Sequence, residues 1–270
     1  MRRLSSAAKI EGKTIAFVPT MGYLHDGHIS LVKTARKKSD IVVVSIFVNP
    51  IQFEQKEDLD KYPRDIKMDS ATLKTLGVDI LFSPDEKEMY KGFYKTHVEV
   101  DNLGSKLCGK TRPDHFKGVT TVVAKLLNIV NPDIMYLGLK DFQQQVIIKK
   151  MIGDLNIPVK VTSLPTVREK DGLAMSSRNS YLNQDERKAA TVLFRALKLA
   201  EKLAHKRVGS ADNIKKQMKN LISSELLVKI DYISICNPLT FEESKNIKSP
   251  TLVAIAAHVG KTRLIDNIII

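Results

Sequence analysis

Tryptophan is missing from the chain, and aromatic residues of all kinds make up only 6% of it. A surface that stacks on unpaired bases needs interleaved aromatics, so this scarcity argues against a nucleic-acid-binding module. Cysteine occurs twice, as Cys108 and Cys236. Two thiols make no disulfide framework, which suits a reducing compartment and two small buried hydrophobes. No apolar run is long enough to span a bilayer, so no membrane partner is expected. Residues 1–9 are basic, but polar Glu11, Gly12, Lys13 and Thr14 follow them where a secretory signal would have its apolar stretch. The expectation is a soluble, cytoplasmic protein. There is also no internal repeat, no low-complexity tract and no G-x-S-x-G elbow to supply a covalent nucleophile.

Acidic residues are in deficit, 30 against 43 Lys and Arg, for a formal charge of +13. Such an excess concentrates anions of any kind, from nucleic acid to small polyphosphates. The lysines are spread along the chain in short clusters such as Arg36-Lys37-Lys38 and Lys215-Lys216, as on solvated helix faces.

What is present is alternation. Short β-branched runs at 14–18, 41–48, 78–82, 134–137 and 159–164 are separated by helical patterns at 28–38, 66–76, 120–129 and 142–155. Parallel strands joined by crossover helices have this signature, and the fold class expected is α/β, a Rossmann-like doubly wound sheet binding ligands beyond the carboxyl ends of its strands. The character then changes. The spacing predicts one long amphipathic helix over 185–206, with Ala189, Val192, Leu193, Ala196, Leu199 and Leu203 inward, and a second helix over 211–221. Strands are expected at 228–235, 252–258 and 262–269. This makes a smaller α+β domain, with the division drawn as 1–167 and 168–270.

The most informative segment, 19–28, leaves the first strand and enters the first helix carrying His25 and His28. Two imidazoles three residues apart at a helix start can both meet a phosphate attracted by unpaired N–H groups and the dipole. Gly22 and Gly27 would let the backbone approach a nucleotide. A zinc pair is the competing reading, but no Cys/His cluster completes a tetrahedral set. Residues 104–111 fit the P-loop formula G-x-x-x-x-G-K-S/T, yet they run into Arg112-Pro113, where a P-loop should open a long helix. Arg112 and His115 remain candidate anion contacts. Lys140 and Asp141 follow a strand and open a helix, suited to phosphate and to ribose or metal. Residues 168–179 gather hydroxyls and cations into a loop suited to clamping β/γ-phosphates.

Taken in order, residues 19–28, 47–53, 60–64, 112–119, 138–144 and 175–179 resemble the pantothenate synthetase family, of the HxGH nucleotidyltransferase group related in fold to class I aminoacyl-tRNA synthetases. The resemblance implies an ATP-dependent ligase that activates pantoate as an acyl-adenylate and joins it to β-alanine, with Mg²⁺ and a homodimer. It implies an ATP cradle of Met21, Gly22, Tyr23, Leu24, His25, Asp26, Gly27 and His28, with His28, His25 and Lys140 catalytic. Gly138, Leu139, Lys140, Asp141 and Val167 would contact the nucleotide; Met175, Ser176, Ser177 and Arg178 would form a KMSKS-like phosphate loop. Gln52, Gln144 and Asn49 would hold the pantoate side. No set of metal ligands is assigned. Asp114 and Leu139 depart from the family pattern, and the N-terminus is slightly short. A nucleotidyltransferase that stops after transferring the nucleotide is the rival within enzymes; the paired glutamines, shaped to hold a small hydroxy acid, favour the ligase.

Overall fold

The structure is a computed structural model and describes residues 1–54, 58–206 and 210–270. The chain forms two compact units. The first comprises Met1–Ser105, Gly109–Leu139 and Gln143–Pro165, and the second Lys106–Cys108, Lys140–Phe142 and Thr166–Ile270.

In the first unit five strands, β1 (Ile15–Thr20), β2 (Ile41–Ile46), β3 (Ile80–Phe82), β4 (Ile134–Gly138) and β5 (Lys160–Leu164), form an all-parallel sheet in the order β3-β2-β1-β4-β5. In the central strands β2, β1 and β4 the unbroken apolar runs have a direct cause: helices cover both faces, so neither set of alternate residues is open to water, whereas the edge strands β3 and β5 are only half-buried. On one face Ile15, Phe17, Val43, Met135 and Leu137 pack with Ala8 of helix α1 (Arg2–Ile10), with Val119, Val123 and Leu127 of α6 (His115–Val130), and with Ile148 and Met151 of α7 (Phe142–Asp154). On the other, Ala16, Val18, Val42, Val44 and Tyr136 meet Leu31, Val32 and Ala35 of α2 (Asp26–Lys38) and Leu73 of α3 (Ile66–Thr75). The carboxylate of Asp133 holds the start of β1, accepting from the Ile15 N–H at 2.8 Å and from Lys9 Nζ of α1 at 3.0 Å. Strand order reverses between β1 and β4, and a sheet of this kind opens its ligand crevice outside the carboxyl ends at that point. The single turns α4 (Glu86–Met89) and α5 (Cys108–Thr111) complete the helices that precede α6.

The second unit has an antiparallel sheet, β6 (Val228–Cys236), β7 (Leu252–Val259) and β8 (Thr262–Ile269), covered by α9 (Val192–His205) and α10 (Ala211–Ser223). The single helix expected over 185–206 is in fact two, α8 (Gln184–Ala189) and α9. The backbone stays helical at Ala190 and Thr191, but the Thr191 N–H turns to the Lys188 carbonyl three residues back, and its hydroxyl donates to the same carbonyl at 2.8 Å. A threonine that bonds its own preceding turn competes with the helix ladder. The inward face follows the expected stripe except that Leu197 and Ala200 are buried where Leu199 was expected.

Candidate active site

The cradle begins where β1 ends. Gly22 has φ +83°, and a Cβ there would lie 2.9 Å from Ile46 Cγ2 and 3.0 Å from Asp69 Oδ2, so only glycine fits. Tyr23 follows at φ 52°. Its N–H and that of Leu24 both donate to the buried Asp69 carboxylate, at 2.7 and 2.8 Å. Helix α2 then starts with a reciprocal cap. His25 Nδ1 accepts the Gly27 N–H at 3.1 Å, and His28 Nδ1 accepts the His25 N–H at 3.3 Å. A ring nitrogen that accepts a hydrogen bond carries no proton, so both neutral imidazoles bear theirs on Nε2. The rings lie 4.1 Å apart between centroids, and Gly27 is required because a Cβ there would come within 2.7 Å of His25 Cε1. The result is a pair of Nε2–H donors at the positive end of a 13-residue helix, the chemistry of a phosphate site.

Beside it Met21, Asn49, Gln52, Arg112 and His115 are drawn into one network. Gln52 Nε2 donates to Met21 Sδ at 3.0 Å, and Asn49 Nδ2 donates to Gln52 Oε1 and to the Gly118 carbonyl, both at 3.1 Å. The Gln52 backbone carbonyl accepts from His115 Nδ1 at 2.9 Å and from Arg112 at 3.4 Å. His115 is therefore a buried support for the Gln52 backbone. Gly118 lets these segments touch, since a Cβ there would be 2.4 Å from the Ile51 carbonyl. Asp114 is exposed at the N-cap of α6, where the helix dipole favours a carboxylate. Of the glutamines opening α7, Gln143 and Gln145 are buried and Gln144 is half-buried.

The second unit carries Lys140, Asp141, Val167 and residues 175–178. Lys140 is half-buried, and its carbonyl accepts from Asn267 Nδ2 at 2.7 Å. The segment expected as a polar loop is a hairpin, bridged between Arg168 and Ala174 and between the Met175 N–H and the Val167 carbonyl. Arg168 pairs bidentately with buried Asp266 at 2.6 and 2.9 Å and lies 4.3 Å over the Phe194 ring. Arg187 holds Glu169 and Asp171, and it pulls the Asp171 carboxyl below the ordinary value. Ser176 caps the single turn that follows by accepting the Arg178 N–H at 3.3 Å, and Ser177 is buried.

The P-loop lookalike has another explanation. Among the described residues no strand leads directly into it, and a Cβ on Gly109 would sit 1.6 Å from the Gly104 carbonyl oxygen, so the two glycines close a tight loop on each other. Residues 108–111 do form helix, but only one turn of it.

Sequence reasoning missed Asp69, which lies on α3, 46 residues along the chain from the Tyr23 N–H it holds. Replacing it with alanine strands two cradle N–H groups, bonds worth about 1.5–3 kcal/mol to a charged acceptor. Steady-state kinetics on Asp69→Ala are expected to show a KM for ATP raised ~10-fold or more; an unchanged KM would remove the clamp from the site.

A parallel sheet of this strand order, with paired imidazoles capping the helix after its first strand, defines a Rossmann-like nucleotidyltransferase fold. The chain belongs to the pantoate-β-alanine ligase family, whose model matches residues 1–269. It is 53% identical over 270 residues to a pantothenate synthetase of Caldicellulosiruptor saccharolyticus, covering 100% of this chain and 96% of that one. Among solved structures it is similar to the pantothenate synthetase of Thermus thermophilus, with TM-score 0.92 and 42% identity over 94% of this chain and 92% of that one. A pantoate-β-alanine ligase from Francisella tularensis, complexed with β-γ ATP and β-alanine, superposes with TM-score 0.82 and 35% identity over 99% of this chain and 94% of that one. The chain is thus an enzyme of pantothenate biosynthesis that ligates pantoate to β-alanine.

Proposed function

We propose that the chain condenses (R)-pantoate with β-alanine in two steps, through a pantoyl-adenylate made from ATP, releasing pyrophosphate and then AMP. The observation that carries this reading is the pair of Nε2–H imidazoles at the N-terminus of α2. A carboxylate is a poor electrophile for an amine, and attaching AMP supplies the leaving group. In the first step the pantoate carboxylate attacks the α-phosphorus, and charge grows on the non-bridging and departing oxygens. His25, His28, Lys140, Ser176, Ser177 and Arg178 neutralise it by position and electrostatics. Residues 21–28, Gly138, Leu139, Asp141, Val167 and Met175 hold the rest of the nucleotide, while Gln52, Gln144 and Asn49 hold pantoate.

Magnesium belongs to this proposal as the counterion of the polyphosphate. Mg²⁺ would neutralise charge on the phosphates, and Asp141, an exposed carboxylate next to Lys140, would be the residue to hold it. A homodimer and a cytoplasmic setting are proposed on family membership. Among the described residues no helix is long and apolar enough to cross a membrane.

The test is product formation with each substrate omitted in turn. Pyrophosphate release is expected to need ATP and pantoate, and AMP release to need β-alanine as well. AMP appearing without β-alanine would indicate a nucleotidyltransferase of another kind. The attacking amine of β-alanine has a pKa near that of lysine, about 10, so turnover is expected to climb between about pH 6 and 9. A flat profile over that range would contradict direct attack by the neutral amine.

A further inference from the structure

Asn49 and Gln52 are buried amides whose two ends differ only in what they can bond, an acceptor oxygen and a donor nitrogen. For Asn49 both ends are specified. Its nitrogen faces the Gly118 carbonyl at 3.1 Å, and its oxygen faces the Tyr90 hydroxyl at 2.6 Å. A carbonyl oxygen cannot donate, so Tyr90 does. The Asn49 nitrogen also occupies Gln52 Oε1 at 3.1 Å. Gln52 is thereby left presenting Nε2, whose partner is the thioether of Met21 at 3.0 Å. Sulfur is a weak acceptor, so an oxygen of a bound hydroxy acid would replace it with a gain in bond strength. Had the Asn49 amide been reversed, Gln52 would turn its own oxygen outward and repel a carboxylate.

We infer that Tyr90 is a positioning residue for pantoate: its hydroxyl, donating to Asn49 Oδ1, holds the Asn49 amide in the orientation that the Gly118 carbonyl selects, and Asn49 in turn occupies Gln52 Oε1, so that Gln52 offers N–H to the substrate's oxygens. The inference rests on the reading of Gln52 as a pantoate contact. The Tyr90 ring is fixed independently of its hydroxyl, packed at 6.1 Å from Phe47 and 5.0 Å from Tyr94 between centroids. Burial, with Tyr94 and Glu86 nearby, pushes the phenol's pKa up and keeps it protonated. Met89, the preceding residue, is buried against the sheet. Tyr90→Phe accordingly keeps the packing and deletes only the hydrogen bond.

The experiment is a double-mutant cycle on the full chain with pantoate and ATP varied separately. Tyr90→Phe is expected to raise the KM for pantoate roughly 10-fold with the KM for ATP near wild type, and to lower the melting temperature by only a few degrees for the buried acceptor it leaves unsatisfied. Gln52→Ala is expected to raise the pantoate KM on its own, and adding Tyr90→Phe to it to change nothing further, because the hydroxyl acts only through that amide. An unchanged pantoate KM in Tyr90→Phe overturns the inference, as does an effect that persists in full in the Gln52→Ala background. If Gln52→Ala itself leaves the pantoate KM unchanged, the reading of Gln52 fails and the role of Tyr90 falls with it.

Discussion

His25→Asn and His28→Gln are each expected to lose at least ~100-fold in adenylate formation while melting within a degree or two of the parent enzyme, and Lys140→Ala to lose a similar factor. The substitutions at the histidines are chosen to separate two roles that alanine would confound. His25 is the N-cap of α2 and His28 stands three residues into the helix, each ring nitrogen satisfying one backbone N–H. Asparagine is among the best N-cap residues, and glutamine three positions on completes the same reciprocal box, so the helix start survives. What disappears is the Nε2–H donor at the positive end of the helix, and removing one transition-state donor of this kind typically costs 10²–10³ in rate. Pyrophosphate release under single-turnover conditions is the measurement, since it reports the first step alone. Near-parental rates in both histidine variants would show that the imidazoles cap the helix and do nothing more. A loss of rate accompanied by a large fall in melting temperature would assign them to folding.

The α/β order was legible because burial on both faces writes itself into composition. Val42, Val43 and Val44 are consecutive and all fully buried, which only a sheet covered on both sides allows. The turn from β1 into α2 was legible too, since glycines with forbidden Cβ positions and histidines at a helix start are local in the chain. What escaped were partners brought in from afar. Asp69 meets the Tyr23 N–H from 46 residues away, and Tyr90 meets Asn49 from 41. A lone aspartate on an amphipathic helix and a tyrosine after a short turn carry no periodic signal of such a pairing. The break at Thr191 escaped for a different reason. The apolar stripe runs on past it almost unchanged, and a side-chain hydroxyl bonding back to its own turn leaves that periodicity intact.

Asp266→Ala is expected to lower the stability of the second unit by about 3–5 kcal/mol, because it strands the Arg168 guanidinium in a site built for a pair. The carboxylate is nearly inaccessible and the guanidinium only 20% exposed, with its face on Phe194 and a further bond to the Gly172 carbonyl. The exposure of Arg168 favours the lower end of that range. Burial nevertheless pushes the Asp266 carboxyl above its ordinary value, and Arg168 only partly offsets this. The folded state therefore holds that proton more tightly than the unfolded chain, so this group's contribution to stability falls as the pH rises from about 4 through the raised value. A pair whose desolvation outweighs its attraction is one that apolar residues can replace. The double variant Arg168→Met/Asp266→Leu is accordingly expected to recover most of the melting temperature that Asp266→Ala loses. Its activity is a separate matter, since Arg168 lies on the hairpin that leads into residues 175–178 and Asp266 precedes Asn267, the donor to the Lys140 carbonyl. If this strand end aligns both of the segments proposed to bind phosphate, the stable double variant turns over slowly with a raised KM for ATP. Full activity in it would mean that the ion pair serves stability alone and that the hairpin finds its place without help from β8.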